Sequence, residues 1–262
     1  ALGYIGTELC KLYSGFSWKY EVVAIDNRFI SERVNELKRR KIRFIQADIL
    51  NLEAIKLFIK EAEIVHHLAG ITDVAYVKKE SDKARDDLTA KVAIEGTANV
   101  LKSMNAEATI VFPSTHVVFE GLKKQKENLD ENEKTNTFLA YSTSKVENEN
   151  QIIKSGKNYA IFRLGSVYGF STDTMRMNIM PNLFSKIASQ NGEIKLFGGG
   201  VQLKSLVPLI DVARCFKFVE EKNNFKNGIY NLSKENVTVK EVADICKKIN
   251  PKLEIITTDD EV

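Results

Sequence analysis

Strand-like and helix-like stretches alternate along most of the chain, and this alternation limits its fold more than any other feature. Apolar runs of strand length occur at Tyr20–Asp26, Ile42–Gln46, Glu63–Gly70, Ala108–Pro113 and Asn158–Leu164. Helical patterns lie between them. Ile5, Leu9 and Leu12 form one stripe that ends near Gly15; a charged helix runs from Ser31 to Arg40, an amphipathic one from Leu52 to Lys60, and a long one from Ala84 to Met104. Strands separated in this way by helices pair in parallel and are covered on both faces. The expected fold class is α/β with a doubly wound parallel sheet, whose ligand crevice opens at the carboxyl ends of its strands.

The residues at those ends are of a consistent kind. The chain opens Ala-Leu-Gly-Tyr-Ile-Gly, which sets Gly3 and Gly6 at the mouth of the first helix with Tyr4 and Ile5 between them. Glycine there leaves the free N–H groups and the dipole of the helix N-terminus open to a pyrophosphate. Asp26 closes the next strand 20 residues after Gly6, with Asn27 following. Together these are the second and third parts of a dinucleotide-binding unit. Its first part, a strand and an earlier glycine, is absent, so the sequence reads as a fragment without its first strand. Asp26 suits a ribose diol, and its charge would repel a 2′-phosphate, which favours NAD over NADP; Arg28, two residues on, softens that preference.

Asp48 and Ile49 follow the Ile42 strand, where they can hold an adenine edge, although Asp48 is equally suited to cap a helix. Leu68, Ala69 and Gly70 end the Glu63 strand, and small residues there let the backbone approach a ligand closely. Ser114 and Thr115 follow the Ala108 strand. The segment at 121–137, rich in lysine and asparagine, reads as an exposed loop. Beyond it, Tyr141 and Lys145 lie four apart on one helix face. A free phenol ionises near about pH 10 and is a poor base at neutrality; an adjacent ammonium lowers that pKa. The pair is suited to proton transfer.

Several function classes find no support. The net charge is only +3, with no basic block, so nucleic acid is not an expected partner. Cys10, Cys215 and Cys246 are widely spaced and cannot all pair, which fits a reduced, cytoplasmic setting and no zinc site. No apolar run approaches the roughly 20 residues that span a bilayer. His66 and His67 are adjacent in a strand and point to opposite faces, so they do not make a metal pair. No metal is expected.

Taken in order, Ala-Leu-Gly-Tyr-Ile-Gly, Asp26, Ala47-Asp-Ile, His66-His-Leu-Ala-Gly, Pro113-Ser-Thr, Tyr141-x-x-x-Lys145, Arg163-Leu-Gly-Ser-Val-Tyr-Gly169 and Asp211-Val-Ala resemble the extended short-chain dehydrogenase/reductase superfamily, in its NAD-dependent epimerase/dehydratase branch. The resemblance implies a Rossmann domain at 1–169 that carries the Tyr-Lys helix, and a smaller substrate lobe, mainly 170–262, interleaved with it and cut short at its C-terminus. It implies NAD as cofactor, held by the strand-end residues already named together with Tyr141, Lys145 and Tyr168. Tyr141 would be the acid/base at a sugar hydroxyl. Lys145 would hold the nicotinamide ribose and lower the tyrosine pKa. Thr115, with Ser114 beside it, would bond the reacting oxygen. Asn178 and Lys204 would touch the diphosphate of a nucleotide-sugar. The implied reaction is epimerisation through a transient ketone; reduction or dehydration by a related enzyme, or NAD binding without turnover, are the alternatives. A homodimer through the Tyr141 helix and its neighbour is also implied.

The sequence departs from the family pattern in places. Lys204 stands where an arginine is usual, keeping the charge but losing the two-pronged geometry; it also reads as an ordinary surface lysine, and Gly198–Gly200 before it as a plain turn. His116 and Val117 occupy the places of the Asp-Glu used by family dehydratases, and valine cannot transfer a proton. Ala93 replaces a common asparagine ahead of Gly96-Thr97, and Pro208-Leu-Ile replaces a usual histidine.

Overall fold

The computed structural model describes residues 1–72, 82–122, 126, 128–221 and 225–259. The chain divides into two compact units, one formed by Ala1–Leu164 with Ala213–Asn231, the other by Gly165–Val212 with Leu232–Val262.

The first unit is the α/β alternation. Its elements run α1 (Tyr4–Ser14), β1 (Val23–Asp26), α2 (Ser31–Arg39), β2 (Arg43–Gln46), α3 (Leu52–Ile59), β3 (Ile64–His66), α4 (Lys83–Ser103), β4 (Thr109–Thr115), α5 (Ala140–Lys154) and β5 (Asn158–Leu164). β1 and β2 pair in parallel, Asp26 opposite Gln46. β3, β4 and β5 are also parallel, with β9 (Gly228–Leu232) beside β5. One face of the sheet packs on α3, α4 and α5 through Ile55, Ile59, Val100, Ile110, Phe112, Ile152 and Ile161. The other face meets α1 and α7 (Leu209–Glu221): Phe216 stacks on both His66 and Phe162, and Tyr13 lies edge-on to His66. Cover on both faces is why strands such as Ala-Ile-Phe in β5 are apolar without alternation.

Local chemistry sets the helix starts. Asn51 caps α3 by accepting from the Ala54 N–H at 3.1 Å, and Asp82 caps α4 by accepting from Arg85 at 2.9 Å. Three strands differ by two residues or more from their sequence reading. β1 begins at Val23 rather than Tyr20. β3 ends at His66, and the chain turns out of the sheet where Leu68 N–H bonds the His66 carbonyl. β4 instead runs two residues further than expected, because Ser114 and Thr115 still pair with Arg163 and Leu164 of β5. Within the 121–137 stretch, residues 123–125 and 127 lie outside the described residues.

The second unit holds β6 (Ser166–Tyr168), α6 (Met180–Ser189), β7 (Glu193–Phe197), β8 (Leu203–Pro208), β10 (Glu235–Thr238), α8 (Val239–Ile249) and β11 (Glu254–Thr258). β8 lies between antiparallel β10 and parallel β6, while β7 and β11 form a parallel pair. Phe184, Ile194, Leu196, Leu206, Val242 and Leu253 form its core. Thr238 and Glu241 start α8 with reciprocal capping bonds. Gly198–Gly200 make a single 3-10 turn with φ of 53°, 71° and 69°, a path that side chains disfavour.

Candidate active site

The expected site residues of the first unit follow or end its parallel strands, or open its first helix. Gly3 is the N-cap of α1, in extended backbone and without a side-chain cap; a Cβ placed on it would meet no atom within 4 Å. Gly6 is needed for a different reason: its Cβ would lie 2.1 Å from the Ala1 carbonyl oxygen, so only glycine lets the preceding loop pass. A glycine at the N-cap leaves room for a ligand to approach this helix start, the kind of place that binds phosphate oxygens.

Asp26, at the end of β1, accepts from Leu2 N–H at 2.8 Å and the Ala1 amine at 2.9 Å on Oδ2, and from Arg28 N–H at 3.1 Å on Oδ1. The backbone donors suit a charged carboxylate. A carboxylate offers about four acceptor positions, so Oδ1 retains capacity for a hydroxyl. Asn27 donates to Asp48 at 3.1 Å. Asp48 does not cap α3: it closes a short turn by accepting from Leu50 N–H at 2.8 Å, and the cap is Asn51.

Tyr141 and Lys145 lie on the first two turns of α5. The start of that helix is fixed by Glu120, whose carboxylate accepts from Phe138 N–H at 3.0 Å, Leu139 N–H at 2.9 Å and the Ser142 hydroxyl. A negative group there also suits the helix dipole. The Lys145 ammonium lies 5.8 Å from the centre of the Tyr141 ring and 4.5 Å from that of Phe112, and donates to the Pro113 carbonyl at 2.7 Å. The Lys145 side chain is half-buried. Burial lowers its pKa to about 8, with the charge of Glu149 pulling the other way. A cation this close to a phenol favours the phenolate.

Thr115 ends β4, its hydroxyl accepting from Val117 N–H at 3.3 Å. Ser114 is a correction to the sequence reading. Its hydroxyl donates to Glu149 at 2.5 Å inside the protein, because neighbouring strand residues face opposite ways; a ligand is left its backbone. His116 Nδ1 lies 2.8 Å from the Leu164 carbonyl, so that nitrogen carries the proton and ties the end of β4 to that of β5. His66 and His67 have different partners, Tyr13 at 2.9 Å and Thr97 at 2.9 Å. Among the described residues no three metal-binding side chains are grouped. Ile49, Leu68, Ala69 and Gly70 follow β2 and β3, and Gly70 has open space at its Cβ position.

The remaining expected site residues belong to the second unit. Tyr168 donates to Glu235 at 3.0 Å; partial burial and that carboxylate raise its pKa to about 12. Asn178 lies two residues before α6, and Lys204 is exposed on β8 opposite Val237.

Sequence reasoning missed Glu120, Glu149 and Arg163. Two signals were present: Glu149 is four residues past Lys145, and Arg163 is a lone charge inside an apolar strand. In the first unit, a helix N-terminus with glycine at its cap, an aspartate at the adjoining strand end and an ammonium with donors to spare are what a dinucleotide needs for its pyrophosphate and two riboses. The residues fit such a group.

Comparisons with known proteins bear on the family and the fold. The sequence model of the NAD dependent epimerase/dehydratase family matches residues 1–233. A Methanocaldococcus jannaschii protein described as "Putative UDP-glucose 4-epimerase" is 28% identical over 254 residues, 94% of this chain and 79% of that protein. Two solved structures share the fold. The UDP-glucose 4-epimerase of Thermotoga maritima with UDP-glucose has a TM-score of 0.81 at 22% identity, over 99% of this chain and 84% of that one. The UDP-glucuronic acid 4-epimerase of Bacillus cereus, in complex with UDP-glucuronic acid and NAD, has 0.79 at 21%, over 98% and 84%.

Buried His67 gives a prediction. Burial, with the Lys145 charge adding to it, lowers its pKa to about 3. Unfolded histidine takes a proton below about pH 6.5, whereas folded His67 does so only near 3. Its contribution to stability is complete above pH 6.5 and is lost as pH falls from there toward 3, at up to about 1.4 kcal/mol per pH unit. Urea unfolding at pH 6.5 and pH 5, above most carboxylate titration, should show this loss, and His67→Gln should reduce it. An equal loss in the variant would remove His67 as the cause.

Proposed function

This chain belongs to the NAD dependent epimerase/dehydratase family, and we propose that it is an epimerase acting on a nucleotide-sugar. The observation that carries the proposal is the Lys145 ammonium, held 5.8 Å from the Tyr141 ring on the helix that follows Thr115. In this reading the first unit holds NAD and the proton-transfer pair, and the second unit is the substrate lobe. NAD would rest on the α1 N-terminus, Asp26 and Lys145, and when bound supplies a reversible hydride acceptor.

The residues of the chain handle the proton. Tyr141, as phenolate, takes the proton of a sugar hydroxyl while the carbon bearing it is oxidised to a ketone. Lys145 stabilises the phenolate, and Thr115 holds the reacting oxygen by a hydrogen bond. Tyr141 returns the proton when the ketone is reduced from its other face, which inverts the carbon. Asn178 and Lys204 would meet the diphosphate, and Tyr168 the nicotinamide end. Val117, which cannot move a proton, favours this over elimination of water. The three cysteines are free thiols, which suits the cytoplasm. Adjacent α4 and α5 leave Leu88, Ile94 and Ile153 exposed, which supports a homodimer through that helix pair.

Three measurements follow. Tyr141→Phe should lower turnover of a UDP-sugar about 100-fold or more while NAD titrates as in the wild type; unchanged turnover would sink the catalytic assignment. NAD should bind about tenfold or more tightly than NADP, and Asp26→Ala should narrow the gap; equal binding by the unaltered chain would remove the argument from Asp26. Light scattering should give twice the chain mass, and a monomer at micromolar concentration would count against the α4–α5 interface.

A further inference from the structure

We infer that Glu149 is a positioning residue that holds Lys145 in its charged, working form, with Arg163 and Ser114 fixing the carboxylate. The inference rests on the reading of Tyr141 and Lys145 as the proton-transfer pair.

Glu149 lies one turn beyond Lys145 on the same face of α5. Its carboxylate meets Arg163 in a two-pronged pair, Oε2 to Nη2 at 2.8 Å and Oε1 to Nε at 3.1 Å, and takes the Ser114 hydroxyl at 2.5 Å. Both charged side chains are 4% exposed. Arg163 is completed by the Glu131 carbonyl at 3.1 Å and the Phe119 ring at 5.4 Å. Such a pair is expensive to bury, and apolar side chains of similar volume commonly serve stability as well or better. Packing alone therefore gives weak reason for an ion pair here. Its neighbour gives a better one.

The groups around the Lys145 ammonium come from four directions. Its own helix supplies Tyr141 and Glu149. β4 supplies the Phe112 ring and the Pro113 carbonyl. Beyond β3, His67 is held neutral by burial and so adds no charge. β5 supplies Arg163, which is paired with the Glu149 carboxylate. Desolvation drives the ammonium toward its neutral form, and Glu149 is the negative charge that resists it. Ser114 extends the arrangement to β4, next to Thr115, so the carboxylate is fixed relative to both strand and helix. A neutral Lys145 would lose its effect on the phenol, because only the cation lowers that pKa.

The test follows the Lys145 side chain directly, in the full chain without substrate. The 13Cε resonance of Lys145, assigned by its loss in Lys145→Arg, is titrated by NMR. Glu149→Gln with Arg163→Gln removes both charges and avoids a lone buried arginine. Its Lys145 midpoint should fall by about one pH unit or more, a tenfold change in the protonation equilibrium. Glu149→Asp keeps the charge, so it should preserve the midpoint to within a few tenths of a unit even where it lowers the melting temperature. A midpoint unmoved in the double variant would overturn the inference, as would a midpoint in Glu149→Asp that falls as far as in the double variant. The alkaline limb of turnover should move to lower pH with the midpoint. The NMR reading needs no activity, so if Tyr141→Phe keeps full turnover the catalytic reading fails while this measurement still decides the role of Glu149.

Discussion

An ammonium drawn partly out of water must be given reasons to stay charged, and much of the first unit can be understood as supplying them to Lys145. The Pro113 carbonyl accepts one of its protons, the Phe112 ring faces it, and Glu149 offers a charge one turn away. Each of these depends on β4 and α5 being in register. β4 is held by seven consecutive pairings with β5. α5 is held at its start by Glu120 and further along by the Glu149–Arg163 pair. Moving the helix by one residue would rotate Lys145 about 100° away from the strand and separate all of these contacts.

The cofactor side of the unit depends on a simpler constraint. Parallel strands place their carboxyl ends along one edge, so residues distant in sequence are gathered without long-range design. Gly3, Asp26, Asp48, Gly70 and Thr115 each follow or end a parallel strand, or open a helix beside one. The second unit is built differently, with an antiparallel pair and a mainly aliphatic core of its own. It is assembled from two separated stretches of chain.

Much of this was legible in the sequence. β5 runs from Asn158 to Leu164 as its apolar pattern indicated, and the α2 and α4 boundaries fall within one residue. Burial on both faces gives strands a continuous apolar run, and caps mark helix starts. The errors have a common physical source: a pattern along the chain reports which residues are apolar, not which distant residue completes them. β4 is longer than its apolar run because β5 still offers partners at Arg163 and Leu164. Ser114 turns inward because a buried carboxylate awaits it there. Glu120 serves a helix start some 20 residues away, and nothing local announces that. The return of Ala213–Asn231 to the first unit is likewise a long-range fact.

The central claim is that the Tyr141–Lys145 pair runs an oxidation and a reduction in one active site on a nucleotide-sugar. The most direct test incubates the protein with NAD and a panel of UDP-, GDP- and dTDP-sugars, following product identity and NADH absorbance together. The account predicts that one sugar is converted to its epimer with no net gain or loss of NADH. Steady accumulation or consumption of NADH would contradict it in favour of a dehydrogenase or reductase, and tight NAD binding with no conversion of any sugar would contradict the nucleotide-sugar assignment.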